Sequence, residues 1–91
     1  MLEKINFRPA NRATWKKLND KVIIVDVETG VYYSLNDSAS NIWLGLMDSK
    51  STIEVFDEMF REYDINTEEL EADILDTISG WEKNQLIERT N

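Results

Sequence analysis

Residues 21–36 read KVIIVDVETGVYYSLN and place two apolar runs on either side of a turn signal. The first run, residues 21–27, carries β-branched residues at successive positions, which is typical of a central strand covered on one face and partly on the other. Gly30 lies where the three-residue hairpin loop 28–30 needs a left-handed residue. Residues 31–35 are therefore predicted to return antiparallel to the first run.

A further strand precedes this pair. Residues 15–18 (WKKL) are followed by Asn19 and Asp20, two residue types that tolerate the positive φ of a tight hairpin turn. The sequence thus predicts a three-stranded antiparallel meander with strands at about 14–18, 21–27 and 31–35. Sequential hairpins put the last strand at an edge of the sheet, where its outer N–H and C=O groups lack partners unless something covers them.

Beyond the meander the apolar residues follow the period of a helix. Their spacing predicts a first helix with Asn36 or Asp37 as its N-cap. Two capping boxes, at Ser51 and at Asn66, open a second helix and a third that runs to about Lys83. The expected fold is α+β, with a three-stranded antiparallel meander packed on three helices in a winged-helix-like arrangement.

Gly80 stands inside the predicted third helix. A glycine there lowers the stability of a helix by about 1 kcal/mol relative to alanine. Two explanations follow: the helix loosens at this residue, or another backbone approaches it closely.

The length of the chain, 91 residues, leaves room for a single domain and one modest core. We expect that domain to span residues 1–91, with its core at about 14–88, frayed ends and an irregular segment around residues 9–11. Charged residues near the start leave no apolar run of the length that a signal peptide needs, and no transmembrane stretch of about eighteen apolar residues occurs. We therefore expect a cytosolic protein with no membrane partner.

The residue types present exclude most catalytic chemistry. The chain contains no Cys and no His, which removes thiolate nucleophiles, imidazole bases and most zinc, iron and copper sites. A segment from Asp64 resembles the start of a calcium loop, but Glu69 and Leu75 replace the glycine and glutamate that such a loop requires. The carboxylates of Asp73 and Asp76 are more simply explained as a solvated helix face. The sequence predicts no enzyme activity, no metal and no cofactor.

The charge of the chain also argues against nucleic acid as a partner. Eighteen acidic and ten basic residues give a net charge of -8. The third helix, which would be the recognition helix of a winged-helix DNA reader, is strongly acidic and would repel phosphate. An extended peptide is a better candidate, because it can add to a bare strand edge through main-chain hydrogen bonds. Tyr32 and Trp81 are candidates to line a groove beside that edge.

An ordered set of residues resembles a known family. The set is Asp26, Gly30, Tyr32, Tyr33, Leu35, Asn36, Ile42, Trp43, Leu46, Tyr63, Asp64, Asp73, Ile74, Ile78, Trp81, Leu86 and Ile87. In order and spacing it is similar to the PqqD-like domains, the precursor-peptide recognition elements of ribosomally made and modified peptides, over about residues 14–88. The chain resembles most the small, stand-alone leader-binding proteins of lasso-peptide pathways. It departs from the family at residues 49–50 and at Gln85, where glycine is usual.

The resemblance implies a non-catalytic chaperone that captures the leader of a precursor peptide and presents it to a leader protease or another modifying enzyme. In such domains the leader adds antiparallel to the third strand and packs against the third helix. By this resemblance the leader-binding residues are Val31, Tyr32, Tyr33, Ser34, Leu35, Leu70, Asp73, Ile74, Asp76, Thr77, Ile78 and Trp81. Asp73 and Asp76 would meet Lys or Arg of a basic leader.

Two alternatives stay open at this point. A PqqD-type partner of a radical SAM enzyme differs from a lasso-pathway protein mainly in the enzyme that it serves. An acidic winged-helix regulatory domain would share the fold but would show salt-sensitive retardation of duplex DNA, which we expect to be absent.

Overall fold

Five strands and three helices form the described part of the computed structural model, residues 2–90. The strands are β1 (Phe7–Pro9), β2 (Ala13–Leu18), β3 (Lys21–Asp26), β4 (Tyr32–Ser34) and β5 (Ile87–Arg89), and the helices are α1 (Asp37–Met47), α2 (Thr52–Glu62) and α3 (Thr67–Lys83). The order β2-β3-β4 forms an antiparallel sheet, and β1 pairs separately with β5. The predicted α+β fold, a three-stranded meander with three helices, is confirmed. No helix within residues 2–90 is long and apolar enough to cross a membrane.

The turns of the meander form where the sequence places them. Asn19 has a φ of 58° in the two-residue turn between β2 and β3, and Gly30 has a φ of 77° before β4. In β3, Val22 and Ile24 are fully buried on the face toward the helices, whereas Ile23 and Val25 are half-buried on the other. This is the two-sided burial that the β-branched run predicts.

Side-chain caps open all three helices. Asn36 accepts a hydrogen bond from the backbone N–H of Ala39 at 2.9 Å, so it is the N-cap of α1. Ser51 and Glu54 form the complete predicted capping box of α2. Asn66 caps α3, but the reciprocal half of its box differs, because the Glu69 carboxylate meets the Asn66 side chain instead of its backbone N–H.

Two helices end at residues that occupy the left-handed region without being glycine. Ser49 after α1 and Gln85 after α3 have φ values of 64° and 60°. Behind each, the chain makes the two reverse hydrogen bonds of a Schellman motif, including Lys50 N–H to Gly45 C=O at 3.1 Å and Leu86 N–H to Trp81 C=O at 2.9 Å. These are the positions at which the sequence departs from the glycine of the family that it resembles, so the departures keep the loop geometry and add the cost of a Cβ in that conformation.

The N-terminal segment is more ordered than the sequence suggests. The expectation of an irregular segment around residues 9–11 is wrong at Pro9, which lies in β1 and pairs with β5, whereas residues 10–12 lie outside the strands and helices. The core also begins before residue 14, since Leu2 and Phe7 are buried. A three-residue strand is too short to show a period, and its partner lies at the other end of the chain. The sequence predicts frayed ends outside about residues 14–88, but residues 7–9 pair with residues 87–89; residues 1 and 91 lie outside the described residues.

A buried hydroxyl of α1 holds the end of the β3–β4 pair. Ser40 is fully buried, and its Oγ accepts a hydrogen bond from Val22 N–H at 3.0 Å and donates one to Leu35 C=O at 3.3 Å. Leu35 N–H in turn donates to Val22 C=O at 2.9 Å. The Ser40 hydroxyl therefore bridges Val22 N–H and Leu35 C=O in place of a direct hydrogen bond between the strands, and it fixes the end of β4 to both β3 and α1.

We expect Ser40→Ala to lower the free energy of unfolding by about 1–3 kcal/mol, because it leaves the buried Val22 N–H without an acceptor. Chemical denaturation measured by circular dichroism gives this value. Ser38→Ala is the matched control, since the exposed Ser38 hydroxyl bonds only to the Asn36 side chain. Equal stabilities for the two variants would show that the Ser40 bridge does not hold the strand pair.

Candidate functional site

The outer edge of β4 is open. Leu35 N–H donates to Val22 C=O and Asp26 N–H donates to Val31 C=O, both at 2.9 Å. These two hydrogen bonds determine which residues of β4 direct their backbone N–H and C=O groups toward β3. Between them the backbone groups of Tyr33 face β3. Those of its neighbours Tyr32 and Ser34 point away from the sheet, and no strand within residues 2–90 pairs on that side.

The sheet has a second open edge at β2, but the two edges differ in charge. β2 carries two exposed lysines, Lys16 and Lys17, and β4 has no charged residue. Charged side chains on an edge strand, lysine above all, discourage the addition of another strand. β4 is therefore the edge that favours an incoming peptide.

The predicted site residues on β4 and beside it divide between two faces. Tyr33 lies opposite Ile24 and packs, half-buried, against the core, and Leu35 is buried. Tyr32 is 73% exposed, and Val31 is exposed as well. Because successive side chains of a strand alternate, Tyr32 points to the face opposite the helices. The structure therefore does not bring Tyr32 and the buried Trp81 into one groove.

Four of the predicted residues on α3 belong to the core. They are Leu70, Ile74, Ile78 and Trp81, and each is at most 6% exposed. Trp81 makes an edge-to-face contact with Trp43, with ring centroids 5.1 Å apart. These side chains mainly fill the core, and of the four Leu70 and Ile78 also reach the linings of cavities beside α3.

The remaining three predicted residues of α3 lie on different sides of the helix. Asp73 and Thr77 line a cavity of about 190 Å³ that also contains Ser38, just beyond β4. Asp76 lines a different cavity together with Leu2. The structure thus groups Asp73 with Thr77 and separates Asp76 from them.

One side of α3 connects, at its two ends, to residues on either side of β4. We use the name α3 flank for Asp73, Thr77, Gly80 and Asn84, whose spacing of four, three and four residues puts them in one row on a helix. At one end of this row, Ser38 shares the cavity with Asp73 and Thr77. At the other end Arg12 Nη1 donates to Gln85 Oε1 at 2.6 Å. Arg12 also binds Asp26, whose backbone N–H donates to Val31 C=O just before β4, and the hydrogen bond from Arg12 to Asp26 is the main cause that raises the pKa of Arg12.

Asp26, at the end of β3, fixes the loop that leads into β4. It is buried, and its carboxylate receives the Arg12 guanidinium at 3.0–3.2 Å. Its Oδ1 also accepts the backbone N–H groups of Glu28, at 2.9 Å, and Thr29, at 3.3 Å. The hydrogen bond from Arg12 comes first among the causes that lower the pKa of Asp26, followed by those two backbone bonds, and together they outweigh its burial.

The pairing of Arg12 with Asp26 was not predicted from the sequence. The sequence does indicate that Asp26 needs a partner. It follows Val22 and Ile24 at the alternate positions of β3 that face the core, and a buried carboxylate has to be paired. The position of that partner, outside the predicted strands, was not readable.

This region can bind a ligand through main-chain groups and surface charge.

Asp64, the start of the segment that resembles a calcium loop, lies at the cavity beside Asp73. Within residues 2–90 no three acidic side chains are grouped to hold a metal ion.

The fold and the open edge define a small α+β domain of the winged-helix-like class. The family described as coenzyme PQQ synthesis protein D (PqqD) matches residues 21–87, and the chain belongs to this family. The family assignment predicted from the ordered residue set is confirmed.

Two solved structures are similar to the whole fold. One is TbiB1 in complex with the TbiA(beta) leader peptide, with 25% sequence identity, a TM-score of 0.83 and coverage of 89% of this chain and 94% of that one. The other is lasso peptide synthetase B1 complexed with the leader peptide, with 24% identity, a TM-score of 0.83 and coverage of 91% and 98%. No curated protein sequence matches the chain significantly.

We expect Asp26→Asn to destabilise the fold at neutral pH and to change its response to acid. The folded pKa of Asp26 is lowered, so the native state favours the charged carboxylate. The resulting stability is complete above the ordinary value of 3.8 and is lost as the pH falls toward the lowered folded pKa. The difference between wild type and variant should therefore be largest near neutrality and shrink in acid.

Urea unfolding from about pH 7 down to about pH 2.5 measures this difference. Asp57→Asn, at an exposed position of α2, is the control. A destabilisation by Asp26→Asn that stays constant across this range would contradict the role of the Asp26 charge.

Proposed function

We propose that this protein binds the leader of a ribosomally synthesised precursor peptide by strand addition at β4 and delivers it to a modifying enzyme, without catalysing a reaction itself. The observation that carries the proposal is the open, uncharged edge at Tyr32 and Ser34 beside the α3 flank. The leader peptides bound to TbiB1 and to lasso peptide synthetase B1 support it.

The backbone of β4 supplies contacts that do not depend on the leader sequence. An added antiparallel strand would pair with the outward N–H and C=O groups of Tyr32 and Ser34. α3 has 17 residues, so it is about 25 Å long. β4 has only three residues, so an added strand pairs with its backbone over about 10 Å and the rest of a bound segment can follow α3.

The charge of the chain favours a basic leader. The net charge is -8, and Asp73 is exposed on the α3 flank. Attraction between such surface charges steers a cationic peptide toward the site and weakens as salt is added. The affinity should therefore fall with ionic strength.

The enzyme that receives the leader separates the two peptide-binding hypotheses. In a lasso-peptide pathway it is a leader protease working with a cyclase, and the two similar structures favour this hypothesis. A PqqD-type role would pair the protein with a radical SAM enzyme, and the family assignment is compatible with it. Co-purification with a protease or with an iron-sulfur protein distinguishes them. The cytosolic location stays a prediction of the sequence.

We expect Ser34→Pro to weaken leader binding about five- to thirtyfold with little change in stability. Proline removes an outward N–H that an added strand needs, and edge strands tolerate proline where that N–H faces solvent. Tyr33→Pro is the contrasting variant, because it removes an N–H that faces β3 and should mainly destabilise the fold. Fluorescence anisotropy with the labelled leader of the precursor encoded beside this protein measures the affinity.

Ser34→Pro binding as tightly as wild type would exclude β4 as the docking strand. Tight binding by wild type together with a loss in Ser34→Pro would support it.

We expect Asp73→Lys to weaken binding of a basic leader about three- to tenfold at low salt, and less at high salt. Asp76→Lys makes the same change of charge on another side of α3 and should have the smaller effect. The same anisotropy titration at two salt concentrations tests both variants. Equal losses would mean that only the net charge matters and that the α3 flank is not the contact surface.

A further inference from the structure

Gly80 has no role in the packing of the protein's own chain. α3 continues through it to Lys83, so the helix does not loosen there. A Cβ built on Gly80 would meet no heavy atom of another part of the chain within 4 Å, so no backbone approaches it closely either. Both explanations suggested by the sequence are wrong, although the residue still lowers helix stability.

The other two glycines of the chain have structural reasons. Gly30 needs its positive φ of 77° in the loop before β4. Gly45 faces α2, where a Cβ would come within 2.8 Å of Val55 Cγ2. Gly80 is therefore the only one of the three glycines in the sequence that neither turn geometry nor packing requires.

The position of Gly80 on α3 suggests a function for the open space above it. It lies in the row of the α3 flank between Thr77 and Asn84, and the ends of this row connect to residues on either side of β4. A strand added to β4 alternates its side chains, and those on the same face as Tyr33 point toward this flank. The open space thus lies in the direction of every second side chain of a bound segment.

We infer that the space over Gly80 is a notch that receives a large side chain of the bound leader, so that Gly80 determines which leaders fit. This inference rests on the proposed function. A side chain at residue 80 would occupy the notch and force the ligand side chain out of the groove. The missing Cβ thus makes room for a ligand at the expense of helix stability.

The experiment compares Gly80→Ala and Gly80→Leu with the wild type. Gly80→Ala should raise the melting temperature by roughly 4–8 °C, because it removes the glycine from the helix, and yet weaken leader binding. Gly80→Leu should weaken binding about tenfold or more, because the notch is then filled. Ala72→Leu adds the same bulk at an exposed position of α3 outside the flank and should leave binding unchanged. The probe is the labelled synthetic leader of the precursor encoded beside this protein.

The outcomes separate this inference from the proposed function. Wild-type binding that is lost in Gly80→Leu and kept in Ala72→Leu supports the notch. Wild-type binding that survives in Gly80→Ala and Gly80→Leu overturns the notch and leaves strand addition intact. A folded wild type that does not bind the leader overturns both. If Gly80→Leu fails to fold, the affinity of Gly80→Ala decides, and equal affinity with a raised melting temperature overturns the inference.

Discussion

The position of β4 depends on the buried carboxylate of Asp26. It receives the Arg12 guanidinium and two backbone N–H groups of the loop before β4, while Arg12 also reaches Gln85 beyond α3. One charge thus joins β3, the loop and the end of α3. A buried carboxylate is stable only when such partners are present, so the loop conformation and the charge pair depend on each other.

A three-residue edge strand with one unpaired side needs such support if it is to stay extended. β4 has a partner on one side only, and its two ends are held from elsewhere, by the Asp26 cluster before it and by the Ser40 bridge after it. This keeps Tyr32 and Ser34 extended before any ligand arrives. A binding edge that is already ordered reduces the entropy that association would otherwise cost.

The sequence predicted what local patterns specify. The β-branched run, Gly30 and the helix caps determined the three-stranded sheet and the helices, and the sequential hairpins put the last strand at an edge of the sheet. Contacts distant in sequence were not predictable, such as the β1–β5 pair and the bond between Arg12 and Asp26. The direction of each residue on α3 was also unreadable, because apolar spacing marks the core stripe but does not say which side of the helix faces β4.

In the proposed complex, main-chain hydrogen bonds at β4 cannot distinguish one leader from another, so discrimination has to come from side chains that the leader meets elsewhere. On α3, the core positions 70, 74, 78 and 81 are buried, and substitutions there alter stability before they alter recognition. The α3 flank is outside this stripe, so it can change with little effect on the core. We therefore expect substitutions at Asp73, Thr77 and Gly80 to change which leader is bound, while the sheet and the buried face of α3 stay constant.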